Sequence, residues 1–246
     1  MTKQYTKVAA ANLHYTPASA RHPANTYFHF SFADYYDPEN MNFGVLRVIN
    51  DDVVAPKGGF DRHSHKDVEI VSYMIKGELT HWDSETQEED KIHRGNVQTI
   101  TAGNGVWHSE LNKYHDWTRF LQIWIMPPQK GLPTRYENKK FELSDRENRL
   151  LHIVGNQTNK NETPLYLESD VNFYASELTN SEVVVTYTLQ ETRQAYINVV
   201  EGSVNIEGIS DLAERDSLKV KGPIELSFST KAEHGHFVMI EMTEDE

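Results

Sequence analysis

Apolar residues in this chain come in short runs, and each run is broken by Gly, Asn, Asp or Pro. That pattern predicts strands and hairpins rather than helices. Phe28 to Phe32 and Gly44 to Ile49 read as early strands, with a loop from Asp34 to Asn42 that contains Pro38. Val68 to Ile75 is apolar almost throughout, the mark of a strand buried on both faces. It stops at Lys76-Gly77-Glu78, where glycine tolerates the positive φ of a tight turn. Leu79 to Trp82 leads into an acidic loop, Glu85 to Asp90. Arg94-Gly95-Asn96 marks another turn, Val97 to Thr101 another strand, and Gly103-Asn104-Gly105 a sharp reversal. Phe120 to Met126 is a strongly apolar strand ended by Pro127-Pro128.

A polar connector, Gln129 to Lys140, separates this half from a second with the same rhythm. Glu182 to Leu189 and Tyr196 to Val200 read as strands. Glu201-Gly202-Ser203 echoes Lys76-Gly77-Glu78, Lys221-Gly222-Pro223 echoes Arg94-Gly95-Asn96, and Phe237 to Met242 matches Phe120 to Met126. The turn glycines stand 18 apart in the first half (77 to 95) and 20 apart in the second (202 to 222). This is the signature of an internal duplication, two β-barrels of one design. Helix is expected only at Ser144 to Leu150 and Ser210 to Glu214.

The chain has 246 residues, enough for two modest β domains with cores of their own. It has no cysteine, which excludes disulfides, thiolate zinc sites and clusters held by the protein's own thiolates. The start, Met1 to His14, is polar and lacks the apolar run of a signal peptide, and no segment reaches the ~20 apolar residues of a spanning helix. The expectation is a soluble cytoplasmic protein with no membrane partner. A formal charge of −13, without a local basic patch, disfavours direct contact with nucleic acid.

Of the 12 histidines, none lies between His152 and His234, so an imidazole site belongs in the first two thirds. Alternate residues of a strand share a face. His63-Ser64-His65 therefore aims two imidazoles one way, and His108-Ser109-Glu110 an imidazole and a carboxylate. Two such strands facing each other gather three nitrogen donors and one oxygen donor. That set suits a divalent transition metal, with positions left open for substrate and dioxygen or water. Glu69 shares the parity of His63 and His65, so spacing alone leaves it level with Glu110, either as ligand or as a hydrogen-bond partner of a ligand. His81 and His93 read as surface strand residues, His115 as part of a polar loop, and Trp107 as core. His234-Gly235-His236 reads as surface or terminal loop without metal partners. Neither a phosphate-cradling glycine loop nor a nucleophile elbow is present.

The segments FSFADYYDPENMNFGVLRVINDD, GGFDRHSHKDVEIVSYMIKGELTHWDS, GNVQTITAGNGVWHSE and LQIWIMPPQKGLPTRYENKKF cover most of residues 28 to 141. In them the chain resembles the pirin-like proteins of the cupin superfamily, of the bacterial type associated with quercetin 2,3-dioxygenase activity. The remaining third looks like that type's diverged second cupin. The resemblance implies an all-β bicupin of two antiparallel barrels: a metal-binding domain, residues 1–138, and a cupin domain without a metal site, residues 139–246. The family's ligand motif maps onto His63, His65, His108 and Glu110, which favours Glu110 over Glu69. Two departures stand out: Ser64 where Pro is common, and Trp107 where a smaller apolar residue is usual, which bears on the pocket mouth. The implied cofactor is one divalent ion, with iron expected and Mn, Ni, Cu, Co and Zn within the same donor chemistry. The implied reaction opens the heterocycle of a flavonol-like substrate with dioxygen and loss of carbon monoxide, with Glu110 as base. The alternative is a metal-dependent, redox-sensing regulatory protein that binds a protein partner without turnover. A monomer or homodimer is expected.

Overall fold

The computed structural model describes residues 4–244, so residues 1–3 of the polar start lie outside it. In chain order its strands are β1 (Tyr5–Val8), β2 (His14–Thr16), β3 (Asn25–Phe28), β4 (Leu46–Val54), β5 (Gly59–His65) and β6 (Glu69–Lys76). Then come β7 (Glu78–Asp83), β8 (Glu89–His93), β9 (Asn96–Thr101), β10 (Val106–Leu111), β11 (Thr118–Ile125) and β12 (Arg135–Lys140). One helical turn, α1 (Leu143–Arg146), precedes β13 (Leu151–Gly155), β14 (Leu165–Tyr166), β15 (Val171–Leu178), β16 (Val185–Leu189) and β17 (Arg193–Ile206). The chain ends with β18 (Ser210–Ala213), β19 (Ser217–Lys221), β20 (Ile224–Ser229) and β21 (Gly235–Thr243). No helix among the described residues is long and apolar enough to cross a membrane.

The chain forms two compact units, and they are not consecutive in sequence. The first holds His14–Phe141 together with Leu167–Ser169. The second holds the segment up to Leu13, Glu142–Tyr166 and the chain from Asp170 onward, with β1 paired to β19. In the first unit a seven-stranded sheet, β12-β9-β6-β11-β4-β3-β2, accompanies a four-stranded sheet, β5-β10-β7-β8. Apart from the parallel pair β13–β14, the sheets are antiparallel, and they do not close into barrels; each unit is a β-sandwich of the cupin kind.

The duplication is visible in the pairing. β4–β11, β6–β11, β6–β9, β7–β8, β7–β10 and β5–β10 recur as β15–β21, β17–β21, β17–β19, β17–β18, β17–β20 and β16–β20. One difference is local. Gly77 (φ 79°) breaks the chain into β6 and β7, whereas Gly202 (φ 69°) lies inside the continuous β17, beside a bulge between Val199 and Glu201. The turn expected at Glu201-Gly202-Ser203 is thus a bent strand. Glycine is needed at both corners: a Cβ would stand 2.8 Å from the Trp117 carbonyl oxygen at Gly77, and 2.2 Å from that of His234 at Gly202.

Three further expectations are corrected. Ser210–Ala213 is strand β18 rather than helix, because it hydrogen-bonds to β17 across a hairpin. The helix expected from Ser144 to Leu150 is the single turn α1, capped by the Glu142 and Asp145 side chains. The polar connector contains β12, which pairs with β9; its polar residues suit an edge strand.

The apolar runs become the cores. Val54, Met74, Leu79, Ile92 and Phe120 form one cluster of the first unit, and Val68, Ile70, Ile100, Ala102 and Val106 another. Residues 69–75 of β6 are all buried, which explains why this strand shows no alternation.

Candidate metal centre

β5 and β10 run antiparallel, with His63 opposite His108 and His65 opposite Val106. Alternation then turns His63, His65 and His108 to one side, and their donor atoms all lie within 4.8 Å of one another. His63 and His108 approach to 3.0 Å between their Nε2 atoms. His63 Nδ1 donates to the Asp61 carbonyl oxygen at 2.7 Å, which leaves the Nε2 lone pair facing the other rings. A separation of 3.0 Å is what two nitrogens at right angles have when each is ~2.1 Å from a shared ion. Burial, followed by the charge of neighbouring histidines, lowers the pKa of His65 to about 4 and of His108 to about 2. Both rings are therefore neutral at physiological pH, the form a metal needs. His108 Nδ1 is buried without a partner. The donor set fits a divalent transition ion.

Glu110 follows His108 by two residues, but the β5–β10 register slips between them, so Glu110 pairs with Phe60 on β5 and with His81 on β7. Its carboxylate joins His81 and His108 in a second donor group, which shares His108 with the first. Gln122 Nε2 donates to it at 2.7 Å and Ser72 Oγ at 3.2 Å. Burial raises the Glu110 pKa, opposed by His81, His63 and these two hydrogen bonds. Glu69 serves differently. Its carboxylate accepts from Thr101 Oγ1 (3.1 Å), Glu168 N (2.8 Å), Ser169 N (3.0 Å) and Ser169 Oγ (2.6 Å). Those four donors occupy it in fastening residues 167–169, and it belongs to neither donor group.

Two surface readings and one core reading change. His81 is fully buried: Leu79, His81 and Asp83 alternate on the inner face of β7, and that spacing was the available signal. Its ring stacks on Tyr136 (4.8 Å between centroids), and Nε2 lies 3.2 Å from Asp83 Oδ2. Trp107 sits on the opposite face of β10 from His108 and is 56 % exposed, so it is neither core nor part of the cleft lining. His236 is buried within β21, with Nδ1 3.0 Å from Glu201 Oε2. His234 shares a donor group with Glu177 and Glu201, but Arg146 stands 3.0 Å from Glu177. His93 and the loop residue His115 are exposed as expected.

A cleft of about 440 Å³ opens beside the first group. Phe32, Phe60 and Trp124 form its apolar walls, and Asn50, Asp52, His63, His65, Glu110 and Gln122 its polar ones. Trp124 meets His65 edge to face at 4.9 Å. The equivalent positions of the second unit are apolar. Register places Tyr187, Leu189, Leu226 and Phe228 where the first unit has His63, His65, His108 and Glu110, and the last three are core.

Two cupin-type sandwiches, one of them with a histidine-lined cleft, define a bicupin. The family description "Pirin" matches residues 12–125, and "Quercetinase C-terminal cupin domain" matches residues 154–242. A provisionally named quercetin 2,3-dioxygenase of Pseudomonas aeruginosa is 38 % identical over 197 residues, covering 80 % of this chain and 83 % of its own. The quercetin 2,3-dioxygenase of Escherichia coli K12 is 37 % identical over 181 residues, covering 73 % and 75 %. The crystal structure of the bacterial pirin YhhW from Escherichia coli in complex with nickel(II) superposes with a TM-score of 0.86 at 28 % identity, over 98 % of this chain and all of that one. The chain belongs to the pirin family.

Proposed function

We propose that this protein is a metal-dependent dioxygenase of quercetin-like flavonols, with the ion held by His63, His65 and His108 and with Glu110 beside them. The observation that carries the reading is the convergence of three imidazoles on one point at the edge of a half-aromatic cleft. Two relatives named for quercetin 2,3-dioxygenase and one structural relative that binds nickel(II) support it. A bound ion supplies Lewis acidity and redox chemistry with dioxygen; iron is our expected occupant.

The chain's own residues do the rest. Phe32, Phe60 and Trp124 give a flat aromatic ligand an apolar slot that excludes water. Glu110 is held by Gln122 and Ser72 at one orientation, and burial makes it a stronger base than a solvated carboxylate. It takes the proton of the flavonol 3-hydroxyl at a carboxylate oxygen. His63 is kept in the tautomer with a bare Nε2 by the Asp61 carbonyl.

Elemental analysis of freshly purified protein should find about one divalent ion per chain, and almost none in the His108→Ala variant. Mixed with quercetin in air, protein loaded in turn with Fe, Mn, Ni, Cu or Co should bleach the visible absorbance of quercetin with at least one of them. An unchanged spectrum across all five refutes the dioxygenase reading.

A further inference from the structure

The second unit carries a donor cluster on the sheet face opposite its core. Leu178 of β15, Val199 of β17 and Phe237 and Met239 of β21 belong to that core. Alternation therefore turns Glu177 and His236 the other way, where they pair across the β15–β21 ladder. Alternation alone would send Glu201 inward after Val199, but the bulge between them shifts the register and sets Glu201 opposite His236. A Cβ at Gly202 would stand 3.2 Å from His234 Nδ1, so glycine leaves that ring its room. One donor atom each from Glu177, Glu201 and His234 then lies within 4.8 Å of the other two.

Each carboxylate has a partner that orients it. Arg146 Nε and Nη2 both reach Glu177 Oε2, at 3.2 and 3.0 Å. His236, buried in β21, has Nδ1 3.0 Å from Glu201 Oε2. Carboxylates that ligate metals are hydrogen-bonded in this manner by groups behind them. Of these groups only Arg146 carries a fixed positive charge, against two carboxylates whose like charges repel. A divalent ion among the donors turns that repulsion into attraction.

We infer that Glu177, Glu201 and His234 form a second divalent-cation site, with Arg146 and His236 holding its carboxylates in place. Two carboxylate oxygens and one imidazole suit zinc or a similar divalent ion, with water completing the coordination. Ser203 N donates to the His234 carbonyl at 3.3 Å, and Thr230 Oγ1 donates to the Ser203 carbonyl at 2.9 Å. The ion therefore fastens the turn ahead of β21 to the bend of β17, and its role is structural. It goes beyond the dioxygenase reading, which concerns the first unit alone. Glu201 and His234 are half-buried, so this ion exchanges with solvent and is lost on purification in metal-free buffer.

The test is calorimetric titration of zinc into the untagged full chain stripped of metal, with thermal melts alongside. A His63→Ala, His108→Ala background disables the first centre and should still take up zinc at the second. Its melting temperature should rise by roughly 5–10 °C once zinc exceeds the dissociation constant ~100-fold. Adding His234→Ala should abolish both the uptake and the rise, and His234→Gln repeats the measurement should alanine disturb folding. Adding Glu201→Gln keeps an acceptor for His236 and should weaken zinc by at least the ~10-fold that loss of an outer partner costs. Adding His93→Ala, which removes an exposed histidine beside Glu78, should change neither readout. Equal uptake with and without His234, or no uptake in the His63→Ala, His108→Ala background, overturns the second site. Either result leaves the dioxygenase reading standing, because that reading depends on the ion of the first unit.

Discussion

Removing the Glu69 carboxylate separates a fastening role from a ligand role. In the folded chain it accepts four hydrogen bonds, two from the backbone amides of Glu168 and Ser169 and two from the hydroxyls of Thr101 and Ser169. Bonds to a charged acceptor contribute ~1.5–3 kcal/mol each, so simple addition reaches roughly 6–12 kcal/mol. That sum overshoots, since residues 167–169 can lift away and rehydrate their amides for less. We expect Glu69→Ala to cost about 3–5 kcal/mol, the usual range for breaking a buried charged network. At 2–4 °C per kcal/mol for a chain of this size, the melting temperature should fall by roughly 6–20 °C. Glu69→Gln keeps one acceptor oxygen but turns an NH2 group towards donors, and should lose about half as much. Urea and thermal melts give the magnitude, and hydrogen exchange locates it at the Glu168 and Ser169 amides. The metal content of both variants should match the wild type. Loss of the ion with unchanged stability would refute the assignment and return Glu69 to the ligand set.

Other expectations follow from the same geometry. Arg119 grips Asp51 through Nε at 2.8 Å and Nη2 at 2.7 Å, with Asp51 almost sealed from solvent; Arg119→Met should destabilise by about 3–5 kcal/mol in urea melts, and adding Asp51→Asn should recover most of it. A double variant no better than the single one refutes the pairing argument. Trp107→Ala removes an exposed ring and should change stability by less than about 0.5 kcal/mol, with no change in metal content. Burial is the main cause that raises Asp52 to about 8, from about 3.9 in the unfolded chain. Its stabilising contribution is therefore complete below about pH 4 and lost as pH rises through 8. In metal-free protein the stability of the wild type relative to Asp52→Asn should fall steadily between those values, and a flat difference over that range counts against the buried acid.

Sequence pattern carried the two-domain, all-β organisation a long way. Runs such as Val68–Ile75 and Phe120–Met126, bounded by Gly77 and Pro127, return as β6 and β11 within a residue or two of their expected ends. The pairing scheme does repeat, but of the two glycine echoes only Gly77 and Gly202 stand at equivalent corners. Gly95 joins β8 to β9, whereas Gly222 joins β19 to β20, the counterparts of β9 and β10. The doublets His63/His65 and His108/Glu110 were legible for the same reason, since period-two alternation is a property of a single strand. Other readings failed where a neighbour decided the outcome. Ser210–Ala213 is a strand because β17 supplies its hydrogen bonds. Trp107 is exposed because β10 turns the opposite face inward. His81 and His236 are buried because a carboxylate beside each satisfies a ring nitrogen.

What the chain alone determined is therefore local: where strands begin, where they must bend, and which side chains share a face. Only the tertiary structure decided which of two glutamates faces the histidines. Glu69 and Glu110 sit at equally suitable spacings, but the slip in register on β10 brings Glu110 to Gln122 and Ser72, while residues 167–169 claim Glu69. Hydrogen-bond partners ~100 residues away leave no trace in local periodicity, because the energy that selects them arises only when the strands meet.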